Sequence, residues 1–343
     1  MKVNKTDLQD ALEKVKPGLA QKELIEQATS FSFLGDRVVT YNDEISISHP
    51  VKGLDITGAV KAQALYDFLN KIKKDEIDIE WEENQIIIQA GRARAGLVFE
   101  HEVRLPVEEV GKIGKWKKLP AGVIEALRFC YPVCSKDLSR PVLTCVHVGK
   151  RAVRASDSYQ IAKYELQDPL PINDFLIPAS SVRELVKYDI VKVAEGEGWF
   201  HFKTEDDTIF SSRVFDGEFP KIDKLFEFDG MEISFPKTSL QALDKARIFS
   251  KGDFHAEHLS VVDVEVANNK IKFSANNESG WFEETVRTRY KEKSIVFSIG
   301  VEFLMAMLKQ SPTGLFEEDR IKFTGEKWQY LIAIATGDSI AER

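Results

Sequence analysis

The sequence contains few cysteines and no long apolar run. Its three cysteines, Cys130, Cys134 and Cys145, are an odd number in a chain of 343 residues, which favours a reduced, cytoplasmic protein over one cross-linked by disulfides. No segment approaches the roughly 20 apolar residues of a membrane span. The charged N-terminal segment 1–16 has no apolar core of the kind found in signal peptides. We therefore expect a cytoplasmic protein that does not contact a membrane.

The chain also lacks an excess of positive charge. It has 47 Lys and Arg against 55 Asp and Glu, a formal net charge of −8, which excludes the simplest nucleic-acid binder, a basic protein throughout. Hydrophobic residues make up 43% and charged residues 30%, so most of the chain can build folded cores. The length suggests two or three domains.

Motifs for catalysis and metal binding are weak. The Gly/Lys-rich segment 111–115 lacks the phosphate-loop pattern. His255 and His258, with Asp253 just before them, have the i, i+3 spacing of metal ligands. No further clear ligand lies nearby in the sequence, so a loop or surface role is favoured. The acidic runs at 206–207 and 317–319 are typical of polar turns, although a metal-dependent nuclease is the alternative. We predict no catalytic residue, no metal and no cofactor.

A helix followed by a hairpin recurs three times along the chain. In the first copy Leu65, Phe68 and Leu69 share one helical face. Alternating strands follow each copy, and the equivalent strand positions Ile77, Val191 and Ile321 are about 114 and 130 residues apart. The sequence therefore predicts a repeated helix–hairpin unit.

The sequence also predicts a second helix that opens each unit, after Thr6, after Pro120 and after Pro236. Each third then contains two helices that pack on antiparallel strands, which is an α+β architecture. We predict three similar domains of this kind, at residues 1–115, 116–228 and 229–343.

The net charge is distributed unevenly between the predicted elements. The six predicted helical segments sum to +8 and the remainder to −16; the segments are 5–16, 61–74, 120–136, 181–187, 237–251 and 301–309. Basic helices beside acidic sheets would steer a polyanion such as DNA. The alternative is that cations simply favour helix C-termini, where they complement the helix dipole.

Several segments resemble, in order, the bacterial DNA polymerase sliding clamp, or beta clamp. The resemblance covers most of the chain and rests on five groups of motifs: Gln89–Ala95, Arg140–Thr144, Ala155–Ala162, Phe215–Pro220, and the pair Ala275–Asn277 and Phe323–Gly325. It implies a head-to-tail homodimer that closes into a ring, with helices on the inner wall and sheets outside. Such a ring encircles duplex DNA without reading its sequence, holds a polymerase on the template and catalyses no reaction.

Candidate DNA-binding residues follow from the predicted helix ends and from this resemblance. Lys22 and Arg140 lie in segments where the family contacts DNA, and the other candidates lie at helix ends. The full set is Lys22, Lys71, Lys73, Lys74, Arg128, Arg140, Arg183, Lys245, Arg247 and Lys251. For any one of these, an ordinary solvated surface cation is the alternative.

The resemblance also implies a pocket that accepts a short peptide from a polymerase or from the clamp loader. Carried over residue by residue, its wall is Leu143, Ser156, Ser158, Tyr159, Gln160, Ile161, Pro220, Lys224 and Leu225. The chain departs from the family at Ser158–Gln160, where Gly-His-Arg is usual, and at Lys224, where arginine is common. Replacing an arginine changes which polar groups the pocket can pair with.

The C-terminal segment departs further from the family pattern. After Ile332–Ala335 only residues 336–343 follow, so we expect the last strand to be missing or much reduced. These departures are typical of a divergent clamp, such as one encoded by a bacteriophage. Two alternatives stay open, a clamp-fold interaction hub that is not loaded on DNA and an enzyme of nucleic-acid metabolism built on repeated α+β domains.

Overall fold

A computed structural model describes residues 1–253 and 256–336, with the backbone alone for 251–253 and 256–259. Within those ranges the chain has six α-helices and large antiparallel sheets, which confirms the α+β class. The helices are α1 (Lys5–Val15), α2 (Ala62–Lys71), α3 (Val123–Cys130), α4 (Ala179–Leu185), α5 (Thr238–Ala246) and α6 (Val301–Leu308).

The strands follow an order that recurs three times: one strand, a helix, four strands, a helix and three strands. The first third has β1 (Lys2–Asn4), β2 (Ser30–Gly35), β3 (Arg37–Tyr41), β4 (Ile45–Pro50), β5 (Ile56–Lys61), β6 (Glu76–Glu82), β7 (Gln85–Ala90) and β8 (Ala93–Glu100). The second has β9 (Lys117–Lys118), β10 (Cys145–Val148), β11 (Ala152–Ser156), β12 (Gln160–Glu165), β13 (Phe175–Pro178), β14 (Ile190–Glu195), β15 (Trp199–Thr204) and β16 (Ile209–Arg213). The last third adds two short strands, β18 and β26, and comprises β17 (Met231–Ser234), β18 (Lys251–Asp253), β19 (Ala256–Ala267), β20 (Lys270–Asn277), β21 (Gly280–Arg287), β22 (Ile295–Gly300), β23 (Thr313–Glu317), β24 (Arg320–Thr324), β25 (Trp328–Ala333) and β26 (Ala335–Thr336).

The first helix of each third carries the same buried pair, Ala followed by Leu. The pairs are Ala11–Leu12 in α1, Ala126–Leu127 in α3 and Ala242–Leu243 in α5, and each of these side chains is at most 1% exposed. A small residue beside a large one lets the helix approach the sheet closely while filling the space next to it. This pair is the clearest local mark of the repeat.

Contacts divide the chain into two compact units, the first made of Met1–Arg128 and Gln167–Asp216. Its strands form one 12-stranded sheet in the order β1-β6-β7-β8-β5-β2-β3-β4-β16-β15-β14-β9. The pairing of β4 with β16, from Ile209 opposite Ser48 to Ser212 opposite Ile45, joins strands of the first and second thirds. In its core Tyr41 packs with Trp199.

The second unit comprises Phe129–Leu166 and the described residues from Gly217 onward. One of its sheets continues from β10, β11 and β12 into β25, β24, β23 and β17, so β12 and β25 join strands of the second and last thirds. The other has the order β21-β20-β19-β22-β26, with β18 beside β19. Helices α5 and α6 pack against each other.

The last strand, which we expect to be missing or much reduced, is described over two residues. The two-residue strand β26 follows β25, and it pairs with β22 through Thr336 opposite Phe297 and Ala335 opposite Ser298. A short final strand is therefore present in the described residues. The tail at 337–343 lies outside them, and so does His255.

None of the helices in the described ranges is long and apolar enough to cross a lipid bilayer.

Two buried histidines lie in the 12-stranded sheet. The ring nitrogen Nδ1 of His49 is 2.8 Å from Thr208 Oγ1, and His201 Nδ1 is 2.8 Å from Ser211 Oγ. Burial lowers the pKa of each imidazole to about 4, and for His49 the nearby Lys14 charge adds to the effect. Both side chains are therefore neutral in the folded protein near neutral pH.

We expect the folded protein to lose stability as the pH falls from about 6.5 towards about 4. Because the folded pKa of each histidine lies below the unfolded value of 6.5, the unfolded chain binds more protons in this window. The free energy of unfolding then falls by about 2 kcal/mol per pH unit between about pH 6 and pH 4.5. Urea titrations at a series of pH values measure the slope.

The variant His49→Gln should flatten that slope by about half, since one of the two titrating groups is gone. His101→Gln is the matched control, because His101 is exposed, and it should leave the slope unchanged. A wild-type stability that does not change between pH 6.5 and pH 4.5 would contradict the prediction.

Candidate functional site

The cations near the helices lie mostly beyond the helix ends. Within the observed bounds the six helices hold six Lys and Arg against eight Asp and Glu, a net charge of −2. The predicted helical segments were longer, and their +8 came from cations just outside the helices. These ten residues are Lys16, Lys61, Lys73, Lys74, Lys136, Lys187, Lys237, Arg247, Lys251 and Lys309.

The prediction of basic helix bodies is therefore wrong, and the positive charge is concentrated around the helix ends. Eight of these ten cations follow a helix, where the last carbonyl groups have no intrahelical partner and the helix dipole is negative. The helix dipole therefore explains part of this concentration of positive charge, with no need for a bound anion. The availability of each cation then depends on its ion pairs.

Three exposed lysines form a cluster at the end of α2, which we call the lysine cluster. Lys71 is the last residue of the helix, and Lys73 and Lys74 lie in the turn that leads to β6. The aliphatic part of Lys74 packs over Gly91. A Cβ atom added to this glycine would lie 3.6 Å from Lys74 Cε. Within the part of the chain that the structure describes, none of the three ammonium groups has a carboxylate partner. Their charge is available for an external anion.

The predicted cations of α3, of α4 and of the loop after α1 differ in the contacts that they make. Arg128 donates from Nη2 to the carbonyl oxygen of Val186, at 2.8 Å, and so satisfies a free acceptor at the end of α4. Arg183 is exposed, and its Nε is 3.3 Å from Glu184 Oε1. Lys22 is also exposed, and among the described residues its ammonium group has no carboxylate partner.

The predicted residues around α5 are already paired. Lys245 forms an ion pair with Glu284 of β21, and Arg247 pairs with Asp244 at 2.9 Å and with Glu302 at 3.4 Å. These exposed pairs are weak, but they reduce the positive charge that an anion would meet. The side chain of Lys251 is outside the described residues, although its backbone begins β18.

The predicted pocket residues all lie in the second unit, on three chain segments. Arg140 links two of these segments, because its Nη1 donates to Ser158 Oγ at 2.8 Å. Leu143 lies in the 3-10 helix Pro141–Thr144 that follows Arg140. The third segment contains the 3-10 helix Asp223–Phe226, with exposed Lys224 and Leu225, and Pro220 is exposed just before it. The structure therefore brings Arg140, a predicted DNA-binding residue, together with Ser158, a predicted pocket residue.

The turn between β11 and β12 is built by its own side chains. Asp157 Oδ1 accepts from the backbone N–H groups of Tyr159 and Gln160, both at 2.8 Å, and Gln160 Nε2 donates to Asp157 Oδ2 at 2.7 Å. Ser156 and Gln160 are buried, and Tyr330 donates its hydroxyl to Gln160 Oε1. Burial raises the pKa of the Asp157 carboxyl above its usual value despite these bonds. Ser156 and Gln160 thus shape the turn, while Ser158 and Tyr159 lie nearer the surface.

An apolar cluster forms the base of this region. Ile161 packs with Ile222, Phe226 and Leu331, and Phe219 and Phe228 are half-buried against them. Of these residues only Ile161 was predicted from the sequence. Apolar residues at 219, 222 and 226, three and four positions apart, are the signal that could have identified three of the others.

Two ion pairs hold the 3-10 helix Asp223–Phe226 against the sheet. Asp223 accepts from Arg154 Nη2 at 3.1 Å, and Lys163 Nζ is 3.2 Å from its Oδ1. Burial alone would raise the pKa of the Asp223 carboxyl, but the two cations lower it below its usual value. The position of Lys224 and Leu225 is therefore fixed by charges on β11 and β12.

The acidic turn at 206–207 is occupied by structural contacts. Asp206 Oδ2 is 2.6 Å from Lys14 Nζ, and Asp207 pairs with Lys203 and with Arg37, at 3.1 Å for Arg37. Burial opposes ionisation of Asp206, but bonds from Lys14, Thr204 and Thr208 lower the pKa of its carboxyl. Among the described residues no group of three His, Cys, Asp or Glu side chains could hold a metal ion.

Comparison with solved structures gives matches along the whole chain. The DNA polymerase sliding clamp of Bacillus subtilis aligns with a TM-score of 0.81 at 20% identity, over 98% of each chain. The beta chain of DNA polymerase III from Streptococcus pneumoniae gives 0.85 at 19% identity, over 98% of this chain and 99% of that one. The corresponding subunit of Thermotoga maritima gives 0.81 at 15%, with the same coverage.

No family model matches this sequence, and no curated protein matches it. The fold is that of bacterial DNA polymerase sliding clamps, so the resemblance seen in the sequence motifs is confirmed at the level of the fold.

Proposed function

We propose that this protein is a DNA sliding clamp, a closed ring that encircles duplex DNA and tethers a replicative polymerase for processive synthesis. The observation that carries the proposal is the match of the whole chain to sliding clamps, with TM-scores of 0.81 to 0.85. A tether of this kind raises the local concentration of polymerase at its template without forming or breaking a bond. The test of this function is whether the protein stays bound to circular DNA and is released when that DNA is cut.

The distribution of available cations supports this function. Lys22 and the lysine cluster have no carboxylate partner among the described residues, although the net charge of the chain is −8. Isolated ammonium groups attract phosphates without reading bases, so the contact is independent of sequence and permits sliding. Lys245 and Arg247 would have to leave their ion pairs to contact DNA, so we assign them a smaller contribution.

The domain organisation that we propose is three clamp domains at 1–115, 116–228 and 229–343. It is supported by the threefold order of elements and by the recurring buried Ala–Leu pair. Two copies of the chain would then supply six domains to one ring. Each domain would contribute its two helices to the inner wall.

Each protomer offers two open strand edges for the head-to-tail homodimer that we propose. Residues 93–98 of β8 pair with β7 on one side, while β5 reaches only Phe99 and Glu100 on the other. In the described residues β21 pairs with β20 alone. An open edge of this kind readily accepts another strand. If β8 of one protomer adds to β21 of its partner, the same contact forms twice in a dimer. The open edges of β8 and β21 are then paired in both protomers.

The side chains on these edges suit such a contact. Val98 of β8 is 69% exposed and Trp281 of β21 is 72% exposed. On β21, Glu283 pairs with Lys272 at 2.6 Å and Glu284 pairs with Lys245, so these carboxylates are already engaged. The driving force that we propose is therefore the burial of the two large apolar groups.

Substituting either apolar residue on these edges should dissociate the dimer. Trp281→Glu or Val98→Glu places a charge in the proposed interface, and we expect about a hundredfold weaker association. Light scattering over a micromolar concentration series measures the shift from dimer to monomer.

Trp81→Glu is the matched control, because Trp81 is also an exposed tryptophan on a strand, β6, that β7 separates from β8. It should leave the dimer intact. A monomeric wild-type protein at micromolar concentration, or dimers unaffected by both edge variants, would refute the arrangement.

The partner pocket that we propose receives a peptide with apolar anchors from a polymerase or from a clamp loader. Its base would be the apolar cluster around Ile161, and its rim would carry exposed Leu225, Lys224 and Pro220. A concave apolar surface with a few fixed polar groups is typical of such sites. The cytoplasm is the compartment in which this function would operate.

A further inference from the structure

Two turns at corresponding places in the first and second thirds have the same backbone geometry. Asp43, after β3, and Ser158, after β11, both adopt a positive φ, of 74° and 83°, which is uncommon for residues other than glycine. The residue before each turn accepts the backbone N–H groups two and three positions further on. The distances are 3.2 and 2.9 Å for Asn42 Oδ1, and both are 2.8 Å for Asp157 Oδ1. The two turns are therefore equivalent.

The strands that pair beside these turns continue the equivalence. Strand β16 pairs with β4, and β25 pairs with β12. The backbone N–H of Arg213 donates to the carbonyl oxygen of Glu44 at 2.9 Å, and that of Ala333 donates to the carbonyl oxygen of Tyr159 at 2.8 Å. Glu44 and Tyr159 each follow the residue with positive φ, so Arg213 and Ala333 occupy the same position of the repeat.

Arg213 fills the space beside its turn, which we call the first corner (Tyr41, Asp43, Trp199 and Arg213). Its Nε donates to the carbonyl oxygen of Asp43 and its Nη2 to Asp43 Oδ1, both at 2.8 Å. Nη2 also donates to the Tyr41 hydroxyl at 3.1 Å and lies 3.8 Å from Glu109 Oε2. The guanidinium lies over the Trp199 ring, 4.8 Å from its centroid, a favourable cation–π contact. Trp199 is only 1% exposed, so the apolar surface of this corner is covered.

Ala333 leaves the equivalent space beside the second turn unfilled. We call this space the second corner (Ser158, Tyr159, Leu331 and Ala333). Because side chains alternate along a strand, Ala333 lies on the same face of β25 as Leu331, which belongs to the apolar cluster around Ile161. Ala333 is exposed. Where Arg213 reaches across the first corner, the second corner therefore has only a methyl group.

The bases of the two corners also differ. Ile161 lies opposite Leu331 in the second unit, and the equivalent pair in the first unit is Ser46 opposite Ser211. Both serines are buried. The apolar surface of the first corner thus comes from its aromatic residues alone, and it is smaller than that of the second corner.

We propose that the side chains at positions 213 and 333 determine which corner takes a peptide. Ala333 keeps the partner pocket at the second corner open, and Arg213 closes the equivalent site at the first corner. One chain then offers one peptide site, although its repeat supplies two corners. Because the partner pocket is itself proposed, this role rests on the proposed function, to which it adds the residue that controls access to the apolar base.

Placing an arginine at the second corner should block the pocket. Fluorescence anisotropy of a labelled pentapeptide with leucine and phenylalanine anchors is measured with the wild-type dimer and with Ala333→Arg. We expect at least about tenfold weaker binding by the variant, because the longer side chain occupies the space that an anchor needs. Ala121→Arg is the matched control, since Ala121 is another exposed alanine, in the turn before α3. It should bind the peptide as the wild type does, and both variants should keep the wild-type midpoint of thermal unfolding.

Removing the arginine from the first corner should create a second site. Isothermal titration calorimetry with the same peptide should give one site per chain for the wild type and two for Arg213→Ala. We expect the new site to be about tenfold weaker than the first, because serines replace two aliphatic groups at its base. The double variant Arg213→Ala, Ala333→Arg should keep only this weaker site, which locates it at the first corner.

The outcomes separate this role from the proposed function. Wild-type affinity for Ala333→Arg, or one site per chain in a folded Arg213→Ala protein, overturns the role of these two positions and leaves the partner pocket intact. A wild-type protein that stays on circular DNA but does not bind the peptide overturns the pocket and with it the role of Ala333. A wild-type protein that binds the peptide but is not retained on circular DNA overturns the proposed clamp function alone.

Discussion

On a nicked circular plasmid the protein should remain bound through gel filtration in high salt, and cutting the plasmid once should release it. A closed ring is linked to a circle topologically, so the link does not depend on the ion pairs that salt screens. Linear DNA has ends over which the ring slides. The measurement is the fraction of protein that elutes with the DNA before and after cutting, once rings have been assembled around the circle.

The decisive control is linear DNA with a bulky protein bound at both ends. Blocked ends should restore retention, because they stop sliding without changing the charge of the duplex. Equal retention on circular and open linear DNA would show ordinary electrostatic binding, and would contradict a sliding ring. No retention on either, with an intact dimer, would favour the alternative of an interaction hub that is not loaded.

The local elements of the fold could be predicted from the sequence because their signals are local. The alternation in 76–81 and 190–193, each followed by a turn, predicted the hairpins β6–β7 and β14–β15, and both are observed. Helical spacing predicted α2 through Leu65, Phe68 and Leu69. These patterns record which face of an element is buried.

The joining of the thirds could not be predicted in the same way. Strand β4 pairs with β16, and β12 pairs with β25, across more than 150 residues of sequence. Alternation predicts that a strand has a buried face, but it does not show which distant strand covers its edge. Long-range pairing depends on the packing of the whole unit.

The predicted site was limited by the same lack of three-dimensional information. Lys245 and Lys71 look alike in sequence, as lysines at the end of a helix. The structure separates them, since Lys245 pairs with Glu284, which is 39 residues away, while Lys71 has no such partner among the described residues. Ion pairs between distant elements decide which cations can bind a phosphate.

Reversing the charge of the lysine cluster should therefore have the largest effect of any surface substitution on DNA binding. The triple variant Lys71→Glu, Lys73→Glu, Lys74→Glu replaces up to three attractive phosphate contacts with repulsion. We expect at least about a hundredfold weaker binding to duplex DNA at low salt, and a slope of log K against log salt lower by about 2 to 3. Anisotropy with a labelled duplex over a salt series measures both.

A second triple variant separates the local effect from the change in net charge. Lys112→Glu, Lys115→Glu, Lys118→Glu makes the same change in total charge at exposed lysines of the segment between the first two thirds. If long-range steering by the whole molecule governs binding, the two variants should weaken it equally, and the cluster would have no special role. If the cluster contacts phosphates, only its own variant should lower the salt slope, because counterions are released only where the DNA is touched. The single variant Lys245→Glu should weaken binding less than Lys71→Glu, since the ion pair of Lys245 with Glu284 must break before Lys245 can bind a phosphate.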